Sequence, residues 1–72
     1  MTTFEIIYKN GNQVLTTENR THETSAVPSE RMIVNALHSV CLNNGVTNFE
    51  HAKAELYRNG GYQCSYRLNC KN

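Results

Sequence analysis

The sequence predicts a two-layer α+β domain, ββαββ, in which one helix packs on one face of an antiparallel sheet. Three observations carry that expectation. Two runs with strand preference flank an Asn-Gly pair near the start, an apolar stripe at helical spacing fills the middle, and a strictly alternating run closes the chain. All 72 residues are expected to form one small domain, 1–72.

Residues 3–18 form the first expected hairpin. Phe4, Ile6, Ile7 and Tyr8 favour strand, as do Val14, Leu15, Thr16 and Thr17. Asn10-Gly11 suits a type I′ turn, whose two central residues both need positive φ. That turn pairs Tyr8 with Gln13, Ile7 with Val14 and Ile6 with Leu15. Phe4, Ile6 and Leu15 then share one face, and Ile7 and Val14 the other. Residues 19–26 are polar and expected to be a loop.

Pro28 is expected to open the helix, since its missing N–H costs nothing in the first turn. Ser29 or Ser25 is the candidate cap, and Glu30 suits the positive end of the helix dipole. Ile33, Ala36, Leu37, Val40 and Cys41 recur at helical spacing as one inward stripe. Asn43-Asn44-Gly45 supplies the stop, with Gly45 in the left-handed position.

In the last strand, Tyr62, Cys64, Tyr66, Leu68 and Cys70 alternate with Gln63, Ser65, Arg67, Asn69 and Lys71, one face buried and one wet. Residues 47–58 read two ways. As a helix they carry a capping box, Thr47 with Glu50, ahead of good helix formers. As a strand they put Ala52, Ala54 and Leu56 on one face and Lys53, Glu55 and Tyr57 on the other. A three-residue loop at 59–61 then pairs Leu56 with Cys64 and Ala54 with Tyr66, core face to core face. This agreement of two independent alternations favours the strand; the runner-up is ββααβ. Strand order is not legible.

A chain this short buries only roughly 60% of the surface it exposes when unfolded, so a partner or a second copy is a natural supplement. Net charge is +1 and charged residues are 18% of the chain, which speaks against a polyphosphate magnet or an acidic nucleic-acid mimic. No apolar run is long enough to span a membrane, and no membrane partner is expected. The odd count of three cysteines lacks the spacing of a secreted disulfide scaffold, so reduced thiols and a cytoplasmic location are expected.

The search for chemistry finds little to anchor it. Cys64 and Cys70 stand six positions apart on one expected strand, roughly 20 Å at about 3.3 Å per residue, too far to bond or to share a metal ion. All three cysteines fit small buried hydrophobes. His22, His38 and His51 have no spacing that implies a Cys–His pair, and the six glutamates are scattered. No catalytic residue, metal site or cofactor is expected, and the chain reads as a non-enzyme. A thiol-dependent enzyme is the third-ranked alternative.

Two surfaces remain. Ile7 and Val14, joined by Tyr57, would make an apolar strip on the sheet face turned from the helix, which in a two-layer domain should be polar. Lys53, Tyr57, Arg67 and Lys71 share that face in the second hairpin, the kind of set that sheet modules offer to single-stranded nucleic acid. The first surface points to a protein-binding module, an accessory, adaptor or inhibitor that contacts another protein or itself. Small size and many asparagines are also common in proteins carried by phages and other mobile elements. Single-stranded nucleic-acid binding is the alternative.

Overall fold

A computed structural model of the protein describes residues 2–22 and 28–68. Its elements are β1 (Thr2–Asn10), β2 (Gln13–His22), α1 (Glu30–Asn43), β3 (Ala52–Arg58) and β4 (Gly61–Arg67). The four strands form one sheet in the order β2-β1-β3-β4, with every neighbouring pair antiparallel. The architecture is the expected ββαββ. β2 and β3 flank β1 and run in the same direction, so a tight turn cannot join them; the helix supplies the crossover.

The core lies between α1 and the inner face of the two central strands. Phe4, Ile6 and Tyr8 of β1, Ala52, Ala54 and Leu56 of β3, and Ile33, Leu37 and Cys41 of α1 are all buried. Tyr8 stands across from Ala54, and Ile6 from Leu56. The small residues of β3 leave room for the large ring of β1, so volume is conserved across the row.

The expected stripe of α1 does face inward: Ala36 and Val40 pack against the core beside the three buried residues. Ser29 is the N-cap and its Oγ accepts from the Arg31 N–H at 3.2 Å. Pro28 therefore precedes the cap instead of occupying the first turn, because the serine hydroxyl can take an orphan donor and proline cannot. Ser25 lies outside the described residues. At the other end the Val46 N–H donates to Cys41 O (2.9 Å) and the Gly45 N–H to Leu42 O (3.2 Å), with Gly45 at φ +75°. This is the Schellman arrangement, and it turns Val46 back against the core.

Residues 47–58 resolve in favour of the strand, which begins only at Ala52. Asn48 Oδ1 accepts from the Glu50 N–H, closing a local turn where the capping box would have started a helix. Leu56 pairs with Cys64 and Ala54 with Tyr66, as the alternation requires.

The first hairpin departs from its expected register, and the second keeps the expected register up to Leu56–Cys64 but closes with a different turn. In the first, Asn10 pairs with Gln13, leaving Gly11-Asn12 as the turn. Gly11 has φ +63°, and Asn12 is not among the positive-φ residues, the pattern of a type II′ turn. Leu15 is then extra, a bulge between Val14, opposite Lys9, and Thr16, opposite Tyr8. Ile7 consequently faces Thr17, not Val14, and Ile6 faces Glu18, not Leu15. The bulge still lets Leu15 pack on the core. In the second hairpin the left-handed pair is Asn59-Gly60 (φ 50° and 87°), a two-residue turn followed by a bulge at Gln63. The bulge turns Tyr62 outward, opposite Tyr57, where strict alternation placed it in the core.

β2 also continues through His22, across residues expected to be loop. Thr2 and Phe4 direct their backbone groups towards β2 and need partners there, and His22 and Arg20 supply them. An edge strand with one wet face tolerates that polar composition.

Candidate binding face

The helix covers one side of the sheet, and on the other side three cross-strand rows run through all four strands. Val14, Lys9, Lys53 and Arg67 make the first; Thr17, Ile7, Glu55 and Ser65 the second; Asn19, Glu5, Tyr57 and Tyr62 the third. Ile7, Val14 and Tyr57, the expected apolar strip, thus share a face but fall in three successive rows. Their contact is diagonal at best, roughly 7–8 Å between backbones. Val14 is 54% exposed at the end of the basic row, whereas Ile7 is half-buried between a threonine and a glutamate.

Glu55 organises the centre. Its Oε2 lies 3.3 Å from Lys53 Nζ and 3.7 Å from Lys9 Nζ, with only 14% of the side chain exposed. Tyr57 donates its hydroxyl to Glu55 Oε1 at 3.3 Å. Burial works to raise the Glu55 carboxyl, but the Lys53 hydrogen bond and the charges of Lys9 and Lys53 outweigh it and hold the group below its ordinary value. Burial, followed by the Glu55 charge, pushes the Tyr57 phenol up. Tyr57 also packs edge-on against Tyr62, with ring centroids 5.7 Å apart and planes at 71°. The Tyr62 hydroxyl is 2.8 Å from Ser65 Oγ.

Of the nucleic-acid set, Lys53 and Arg67 are directly opposite each other, Tyr57 lies on the same face, and Lys71 falls outside the described residues. Lys9 and Tyr62 join this face and were absent from both expected sets. Alternation with Ile7 identifies Lys9; no local signal identifies Tyr62, because its orientation depends on the bulge at Gln63.

The remaining reactive groups are dispersed. Cys41 is buried in the core, where burial raises its thiol, the opposite of an activated thiolate. Cys64 is half-buried on the inner face of β4, and Cys70 lies outside the described residues. A hydrogen bond with Cys64, then burial, pushes the Tyr66 phenol up to about 12. His38 is exposed and meets the Phe49 ring edge-on at 5.3 Å; the exposed His51 contributes its carbonyl to the Gly11 N–H at 2.9 Å. Among the described residues no three His, Cys, Asp or Glu side chains gather as a metal site, and no helix is long and apolar enough to cross a membrane. No family model matches the chain, and no curated protein or solved structure matches it either.

Proposed function

We propose that the chain is a non-enzymatic protein-binding module, an accessory, adaptor or inhibitor that acts by occupancy in the cytoplasm through its uncovered sheet face. The supporting observation is the edge-packed Tyr57–Tyr62 pair, one row from Ile7, with lysines and glutamates in the neighbouring positions. Tyrosines carry large contact area with few torsions to freeze, and a few such anchors dominate most protein interfaces. The mixed charge favours a protein over a polyanion: Glu55 already engages Lys9 and Lys53, and Glu5 shares the tyrosine row. A phosphate chain on this face would meet two carboxylates.

The test is affinity capture with the wild type, with Tyr57→Thr plus Tyr62→Thr, and with Met32→Gln on the exposed side of the helix. A directly binding protein that is lost with the tyrosine variant and retained with Met32→Gln supports the reading. Equal retention by all three refutes it. Single-stranded nucleic acid is the second reading, favoured by the Lys9–Lys53–Arg67 row next to the aromatic pair. Binding to an oligonucleotide that weakens steeply with salt, and is lost on Arg67→Ala, would put that reading first.

A further inference from the structure

Among the described residues, the outer edge of β2 is the longer of the two outer edges of the sheet. β2 spans ten residues against seven for β4. Its bulge at Leu15 sits beside the turn, leaving residues 16–22 in regular register with β1, whereas the bulge at Gln63 interrupts β4. β2 also lacks the lysines and prolines that commonly blunt a sheet edge.

The direction of its backbone groups follows from β1. Thr3 donates its N–H to Asn59 Oδ1 (3.1 Å) and accepts the Asn59 N–H at its carbonyl (2.8 Å), so both its groups point towards β3. Alternation then sends Thr2, Phe4, Ile6 and Tyr8 towards β2, where they meet His22, Arg20, Glu18 and Thr16. Thr17, Asn19 and Thr21 of β2 therefore direct their N–H and C=O groups away from the sheet.

We propose that two copies of this chain associate edge to edge through β2, antiparallel about a two-fold axis at Asn19, forming one continuous sheet. Asn19 then bonds its own counterpart, and Thr17 bonds the partner's Thr21, so every outward backbone group of the regular stretch is paired. The same register brings Glu18 opposite the partner's Arg20, twice, on the helix side of the sheet. Charge complementarity selects this axis: moving it to Thr17 or Thr21 loses both ion pairs. Within one chain Glu18 already accepts from Tyr8 Oη (2.9 Å) and Arg20 Nε (2.7 Å), which holds both charged side chains on that face. The guanidinium has further N–H donors for the partner's carboxylate. Dimerisation uses the strand edge alone, so Tyr57→Thr is expected to leave it intact.

The test is sedimentation equilibrium across the micromolar-to-millimolar range. The wild type is expected to dimerise; a wild type that stays monomeric overturns the proposal. Glu18→Arg and Arg20→Glu each place like charges opposite each other and are expected to sediment as monomers. An equimolar mixture of the two variants restores both ion pairs and is expected to return a heterodimer. A dimer in either single variant matching the wild type, or a mixture that stays monomeric, overturns the register. Should either charge variant fail to fold, cross-linking decides. Asn19→Cys places a thiol against its own counterpart at a Cα separation of about 5.5 Å, within disulfide range. Oxidation is expected to yield covalent dimer from Asn19→Cys and none above the wild-type level from Thr17→Cys. The reverse pattern, or no dimer from either, overturns the proposal.

Discussion

Leu37→Ala probes the layer contact on which the fold depends. Leu37 is fully buried at the middle of the inward stripe, between Ile33 and Cys41. Truncating such a leucine costs roughly 2–5 kcal/mol, the transfer term plus the cavity left behind. A chain of 72 residues has a total stability of roughly 4–11 kcal/mol at about 0.05–0.15 kcal/mol per residue. The substitution therefore takes a large share of the whole. Alanine is also the better helix former, so lost packing must account for any destabilisation. Leu42→Ala is the matched control: one residue beyond buried Cys41, Leu42 is 57% exposed, and its truncation is expected to stay within about 0.5 kcal/mol. Urea unfolding followed by far-ultraviolet circular dichroism suits a chain without tryptophan. With a slope near 1 kcal/mol/M, the Leu37→Ala midpoint is expected to fall by roughly 2 M or more. Equal shifts for the two variants would refute the assigned helix face.

Gly45→Ala isolates backbone strain: φ is +75° and nothing lies within 4 Å of an added Cβ, so a loss of roughly 1–2 kcal/mol in urea unfolding is expected without any clash. A neutral result would contradict the Schellman geometry. Glu18 is held below the ordinary carboxylate value, first by its Arg20 hydrogen bond, and Glu55 is held low by its lysines despite burial. Their contribution is full above the unfolded-state value near 4.5 and is lost as pH falls through the lower folded values, so acid destabilises the protein. Glu55→Gln is expected to flatten stability against pH below about 4.5, and an unchanged slope would show that the Lys9–Glu55–Lys53 cluster contributes nothing. Native-state alkylation followed by mass spectrometry should label Cys64 well before Cys41, since one is half-buried and the other has no exposure. Comparable rates would contradict the helix packing.

What the chain's own pattern determines are its elements and their faces. The spacing of Ile33, Leu37 and Cys41 makes an amphipathic helix whatever it packs on, and Ala52, Ala54 and Leu56 alternate against Cys64 and Tyr66 with a phase only a hairpin satisfies. These are local periodicities, set by 3.6 residues per helical turn and two per strand repeat. Register and strand order are different, because they are settled between segments. Asn10-Gly11 and Gly11-Asn12 both suit two-residue turns; the tie is broken when β1 docks on β3 and the Gly11 N–H meets the His51 carbonyl. The bulges at Leu15 and Gln63 leave no local signature, yet the first separates Val14 from Ile7 and the second turns Tyr62 out beside Tyr57. The candidate face was thus half legible: Ile7, Lys53, Tyr57 and Arg67 by alternation, its tyrosine pair and salt-bridged centre only by tertiary pairing. A one-residue slip reverses every side chain beyond it, so an inserted residue far from a site decides what that site presents.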